Sequence, residues 1–156
     1  NSLRMRPDRI IIGEVRGPEA LDMIQAMSTG HRGTLAVMHG NSPKEALARL
    51  ETLILSSGIA LSVLDVRKMI SDTIDIVIQQ NKFPDGTRKI VNISEVRGIE
   101  RGEIALQDLF VFHKRGRDAQ GKILGSLSPR MRMFPKFFNE FQKAGLIDEK
   151  TFSDDE

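Results

Sequence analysis

The spacing of the apolar residues changes near residue 73, and that change restricts the fold more than any other feature. Before it, apolar residues recur at helical intervals: Leu21, Ile24 and Met27 up to Gly30; Ala46, Leu47, Leu50, Leu53 and Ile54 to about Gly58; Val63, Val66, Met69 and Ile70 between about Ser62 and Ser71. After it, Ile74, Ile76 and Ile78 alternate with polar residues, Asp85-Gly86 has hairpin-turn composition, and Ile90-Val-Asn-Ile93 followed by Val96 answers them. A further strand is expected over Ile104 to Phe112, after a turn at Gly102. Lys114 to Gly125 is charged and turn-rich, and reads as an exposed loop followed by a short strand. Phe134, Phe137, Phe138 and Phe141 suggest a terminal helix ending at Lys143, and the acidic tail Asp154, Asp155, Glu156 should be loose.

Strands are also expected between the early helices. Ile10-Ile-Ile12, bounded by Arg9 and Gly13, reads as a buried parallel strand, and Pro18 is well placed to open the helix after it. Thr34 to Met38 is a second short apolar stretch, ending at His39. Ser42 and Glu45 have capping-box spacing, with Pro43 at the first helical position. The order is strand–helix–strand–helix–helix, then an antiparallel sheet, then a helix. This predicts an α/β protein divided into 1–72, 73–128 and 129–156.

Composition excludes several classes. With no Cys there is no disulfide and no thiolate zinc site. The net charge of +2, from 23 basic and 21 acidic residues, is a near-balance and not a polycation, so nucleic acid is not expected as a partner. No apolar run approaches the ~20 residues that cross a bilayer, and no signal-peptide pattern opens the chain. Asn1 to Arg6 reads as part of an ongoing element, so the chain is expected to be a fragment or a product cut at its N-terminus.

The chemistry concentrates in two blocks. In Ile10-Ile-Ile-Gly13-Glu14-Val15-Arg16, a hydrophobic strand delivers a carboxylate to the carboxyl edge of a parallel sheet, where ligands bind in open α/β folds. Glu14 there can hold a water or the shell of a Mg²⁺ against a phosphate chain, and Gly13 lets the backbone turn close to a ligand. A strand followed by a surface Glu is also common with no chemistry attached. The second block, Thr29-Gly30-His31-Arg32-Gly33-Thr34 through Ala36-Val37-Met38-His39-Gly40-Asn41-Ser42, has a histidine at each end of a short strand. If the two strands are neighbours, His39 falls near Glu14, where an imidazole can donate a hydrogen bond to a terminal phosphate. Both histidines can equally serve as local backbone caps. Without a thiol or a close His pair on one helix face, metal ligation by them is not expected.

The run LRMRPDRIIIGEVRGPEALDMIQAMSTGH, continuing to GTLAVMHGNSP, resembles the Walker B and His-box region of the type II/type IV secretion ATPases. The likeness is specific from Leu3 to about Glu51 and looser through the hairpin to Leu106-Gln-Asp-Leu-Phe110. Gly17 in the GEVRG form points to the Flp/Tad pilus-assembly (CpaF-type) branch, with the conjugation and type IV secretion ATPases next. The resemblance implies the later part of a RecA-like P-loop NTPase domain that uses ATP and Mg²⁺. In it Glu14 acts as the Walker B carboxylate, Arg16 serves the site or a subunit contact, and His39 lies near the γ-phosphate, with Gly13 and His31 also at the nucleotide. Arg4, Asp8 and Gly30 belong to the motifs, and Asp8 can equally brace the strand start. The implied assembly is a homohexamer, cytoplasmic and peripheral to the inner membrane, working on a membrane-embedded pilus or secretion platform.

The chain also departs from the family. Ala36 and Val37 stand where Thr is usual before the second His, and Gly40 replaces the usual Ala, which should loosen that turn. No G-x-x-x-x-G-K-[ST] occurs; Gly116 to Lys122 (GRDAQGK) is nearest, but Ile123 follows it. Phosphoryl transfer depends on positioning and electrostatics, so these residues alone are expected to hydrolyse no ATP. Half a parallel sheet would also expose an edge and make the chain poorly soluble. The rival readings are a non-catalytic, ATPase-like interaction module and a type IV secretion or conjugation ATPase.

Overall fold

Two short runs of apolar residues separated by a helix pair in parallel, because a helical crossover returns the chain to the same end of the sheet. In the computed structural model, which describes residues 6–30, 33–130, 134–148 and 150, β1 (Ile11–Ile12) and β2 (Leu35–Ala36) form this pair, with Ile11 opposite Leu35 and Ile12 opposite Ala36. The chain divides into two units: Asn1–Asp75 with Val96–Ala105, and Ile76–Glu95 with Leu106–Glu156.

In the first unit, α1 (Glu19–Ser28) starts after Pro18, whose φ of −64° already suits a helix. The Glu19 carboxylate turns back to accept from the backbone N–H groups of Arg16 (2.8 Å) and Gly17 (2.9 Å). α2 (Pro43–Leu55) is capped by Ser42, whose hydroxyl accepts from the Glu45 amide at 3.2 Å. The return half of the expected capping box is displaced by one residue. Glu45 accepts from the amide and side-chain nitrogens of Asn41, at 3.2 and 2.8 Å. α3 (Val63–Thr73) is capped by Ser62, which accepts from the Asp65 amide at 3.1 Å. The three helices pack on one another, and Leu21, Ile24, Leu50, Ile54, Val66 and Ile70 form their buried interior. Arg67 forms a two-pronged pair with Glu51 (2.7 and 3.2 Å) and donates to the carbonyl of Gly102 at 2.7 Å.

The second unit is built on an antiparallel meander: β3 (Ile76–Lys82), β4 (Arg88–Glu100), β5 (Glu103–Arg117) and β6 (Ile123–Pro129), in that order across the sheet. The far ends of β4 and β5, within Val96–Ala105, belong to the first unit. The antiparallel half therefore agrees with the alternating pattern. The expected loop and short strand over Lys114 to Gly125 agree in part: 118–122 form the turn and β6 begins at Ile123, but the first four residues are strand. Lys114 to Arg117 are the last residues of β5 and pair with Gly125, Leu124 and Ile123 across an irregularity at Lys114/Gly116. Partner strands decide strand residues more than composition does, and here β6 overrides a Lys/Arg/Gly-rich stretch.

The terminal helix is shorter than the phenylalanine stripe implies: α4 spans Phe138–Lys143. Pro135 disfavours a helical Phe134 before it, and the Lys136 amide donates to the Glu95 carboxylate at 2.7 Å. Of the four phenylalanines Phe138 is buried, whereas Phe134 and Phe141 keep substantial exposure. The acidic tail lies outside the described residues.

Candidate functional site

Parallel strands end on the same edge, so the residues after β1 and those after β2 must emerge side by side. The pairing continues past both strands: Val37 donates to the Ile12 carbonyl (3.2 Å), and Val15 donates to that of Val37 (2.9 Å). Glu14 and His39 lie at this edge. Nε2 of His39 is 2.8 Å from Oε1 of Glu14, and Nε of Arg16 is 2.6 Å from the same oxygen. Of the sequence-predicted residues, the structure thus brings together Glu14, Arg16 and His39.

Glu14 Oε1 is closed off from solvent by these contacts, yet neither has the N–H alignment of a formed hydrogen bond. Arg16 meets it as an ion pair, and His39 meets it through proximity of Nε2. The side chain as a whole is 24% exposed, so that exposure lies away from Oε1. The Arg16 guanidinium is the main cause that holds the Glu14 carboxyl below its ordinary value; His39 adds to the lowering and burial opposes it. The same pairing raises Arg16. A carboxylate with a lowered pKa is a poorer proton acceptor but stays ionised, which suits it to orienting a water or a metal-bound water.

Gly13 has open space on its side-chain face, with nothing within 4 Å of a Cβ placed there. Gly30 follows α1 with φ +103°, a left-handed conformation suited to glycine. Asp8 is exposed ahead of β1. Arg4 and His31 lie outside the described residues. The turn after His39 is not loosened by Gly40: a Cβ there would come within 3.0 Å of Ala46 Cα, so the glycine fits closely against the first turn of α2. Glu19 was not anticipated from sequence as part of this region. Its bonds to the Arg16 and Gly17 amides hold the loop that carries Arg16 and lower its own pKa, the Arg16 amide most. A Cβ at Gly17 would approach Glu19 Oε2 to 2.8 Å, so the carboxylate would have to shift to admit a larger residue there. An acid directly after Gly-Pro was the available signal.

No group of three or more His, Cys, Asp or Glu able to cage a metal occurs among the described residues. A single carboxylate at a sheet edge still fits Mg²⁺, which keeps most of its waters and takes one or two carboxylates beside phosphate oxygens.

A family model described as "Type II/IV secretion system protein" matches residues 1–85. A Mycobacterium tuberculosis protein whose name assigns it to conjugal transfer is 34% identical over 112 residues, 72% of this chain and 30% of its own length. The conjugal transfer protein TrbB of Rhizobium radiobacter is 33% identical over 62% of this chain and 29% of its own. The crystal structure of the VirB11 ATPase from the Brucella suis type IV secretion system, in complex with sulphate, superposes with a TM-score of 0.56 at 32% identity, covering 60% of this chain and 29% of that one. The chain therefore spans less than a third of the length of these relatives. Because one family model covers more than half of its 156 residues, this chain belongs to the type II/IV secretion system protein family.

Proposed function

We propose that the first unit supplies one edge of the nucleotide site of an ATP-driven secretion motor, with Glu14 orienting water and His39 placed to meet a terminal phosphate. The observation that carries this reading is the meeting of Glu14, Arg16 and His39 at the carboxyl edge of a parallel pair. ATP, when bound, supplies the phosphoanhydride bond and, with Mg²⁺, most of the local charge. Glu14 stays ionised and orients, His39 offers a donor, and Arg16 holds Oε1 until a competing charge draws the guanidinium away. Ile11, Leu35 and Val37 are 75%, 61% and 54% exposed, unlike the buried apolar residues of complete parallel sheets, which supports further strands covering this pair in the working enzyme.

The 156 residues alone are expected to release no phosphate from ATP, since no Lys-bearing glycine loop cradles the phosphates. Strong ATPase activity of the purified chain, abolished by Glu14→Gln, would overturn this. The positive test is a chimera in which this segment replaces its counterpart in the Brucella suis VirB11 ATPase. Hydrolysis should be retained, and Glu14→Gln should then cut turnover by about 100-fold or more. Retained turnover after that substitution removes Glu14 from the site.

The intact enzyme is read as a homohexamer, cytoplasmic and peripheral to an inner-membrane platform. The conjugal-transfer and VirB11 relatives support a type IV secretion role. The Gly17 form of the motif supports the Flp/Tad pilus branch, and complementation of strains lacking either system separates the two. No described helix is long and apolar enough to cross a membrane.

A further inference from the structure

We infer that Arg67 is a positioning residue for the candidate site: it ties α2 to the β4–β5 turn, and through α2 it sets where His39 stands relative to Glu14. The purpose of this placement rests on the nucleotide reading. The geometry does not, since every residue involved lies in the first unit.

His39 is joined closely to α2. Gly40 follows it, and a Cβ there would lie 3.0 Å from the Cα, the Cβ and the amide nitrogen of Ala46, so this turn is seated against the helix. Asn41 then donates to the Glu45 carboxylate from both its amide and its side chain, and Ser42 caps the same first turn. A displacement of α2 therefore carries His39 with it.

The position of α2 is set in turn by the β4–β5 turn. β4 ends at Glu100 and β5 begins at Glu103, which leaves Arg101 and Gly102 at the centre with φ of 51° and 81°. A two-residue hairpin of this kind needs positive φ at both places, which glycine adopts freely and arginine does not. An unfavourable backbone conformation persists where its surroundings hold it, and two cationic arms meet this turn. Arg67 grips Glu51 of α2 through Nε and Nη2, at 2.7 and 3.2 Å, while Nη1 donates to the Gly102 carbonyl at 2.7 Å. Lys44, in the first turn of α2, reaches Glu103 at 3.0 Å. Positions 44 and 51 are about two helical turns apart, so both arms act on one side of α2.

The arms are unequal. The Lys44 and Glu103 side chains are 76% and 62% exposed, where an ion pair contributes little, against 29% and 16% for Arg67 and Glu51. A guanidinium carries its donors in a fixed fork and can hold a carboxylate and a carbonyl together. Glu51 is the main cause that raises Arg67; burial opposes the rise and Glu103 adds to it. Val66, beside Arg67 on α3, is fully buried, which gives the guanidinium a firm base. Arg67 thus acts on the Glu14–His39 contact while touching neither residue.

The test reads the His39 Cε1 and Glu14 carboxyl signals by carbon NMR in the full chain. Arg67→Gln should displace both and raise the Glu14 midpoint, because His39 contributes to lowering it. Lys68→Gln removes the same charge from an exposed position on α3 and should leave both signals in place. Gly40→Ala, which strains the other end of the link, should displace the His39 signal and that of Arg67 Nε together. Circular dichroism checks folding; if Arg67→Gln does not fold, Lys44→Gln with Glu103→Gln replaces it, with a smaller displacement expected. Unmoved His39 and Glu14 signals in the folded variant, or equal displacements in Lys68→Gln, overturn the proposal. In the VirB11 chimera, Arg67→Gln should lower kcat about tenfold or more with KM for ATP within about twofold, and a loss in KM alone also overturns it. Failure of the nucleotide reading shows separately, as chimera turnover that survives Glu14→Gln.

Discussion

His39 Nε2 lies 2.8 Å from Glu14 Oε1, although 25 positions separate them in the chain. The parallel pairing of β1 and β2 brings them together, and Arg16 completes the contact from the Glu14 side. Because Arg16 contributes most to lowering the Glu14 carboxyl, carboxyl-carbon NMR should find its midpoint below 4.5. Arg16→Gln should raise that midpoint further than His39→Gln does. The reverse order would mean that His39 dominates the field at this oxygen.

Asp85 is held at about 2, against an ordinary 3.8, mainly by its bond from the Ile123 amide, with Thr87 adding to the lowering. A depressed carboxylate stabilises the fold above its unfolded value, and that contribution is lost as pH falls through the folded value. Thermal unfolding followed between pH 4 and pH 2 should therefore show a steep loss attributable to Asp85. Asp85→Asn should melt lower at neutral pH and lose less over that window. Hydrogen exchange at the Ile123 amide should quicken in the variant; unchanged exchange would show that the bond does not persist in solution.

Ile70 is fully buried among the first unit's helices, beside the equally buried Ile54 and Val66. Ile70→Ala should cost about 2–5 kcal/mol by urea unfolding, from lost burial and the cavity left behind. Ile59, at 52% exposure, is the control, and Ile59→Ala should stay within about 0.5 kcal/mol.

Gly125 faces its partner strand with no space to spare. A Cβ there would lie 2.4 Å from the His113 carbonyl oxygen and 2.5 Å from Phe112 Cζ. A backbone oxygen cannot swing aside as a side chain can, so Gly125→Ala should loosen the β5–β6 pairing at a cost of about 1–3 kcal/mol. Faster amide exchange confined to the β5–β6 hairpin is the expected signature, and wild-type protection there would count against it.

Legibility in the amino acids tracks the range of the interactions involved. Helix starts are local: Ser42 and Ser62 each cap the next helix through an amide three residues on. The Glu14–His39 meeting was legible because parallel pairing of two short apolar runs leaves little choice of which ends coincide. The strand over Lys114 to Arg117 was not legible, since its support comes from β6 on the far side of a turn. Nor was the late start of α4, which reflects Pro135 and a carboxylate 41 positions away in sequence, at Glu95. In the candidate site, the Glu19 brace escaped notice because an acid in a first turn ordinarily reads as a response to the helix dipole, not as a clasp on the preceding loop.

An open sheet offers its outer strands as templates on which a stranger's strand can be laid. β6 is such an outer strand, and the amide of its first residue, Ile123, is already taken by Asp85. A second molecule trying to zip along β6 from that end finds the first rung filled by a charged acceptor that it must displace. The turn carboxylate therefore also acts as a stopper against runaway stacking of sheets. Removing it with Asp85→Asn should show first as slow, concentration-dependent fibrillar growth at temperatures where the variant is still folded.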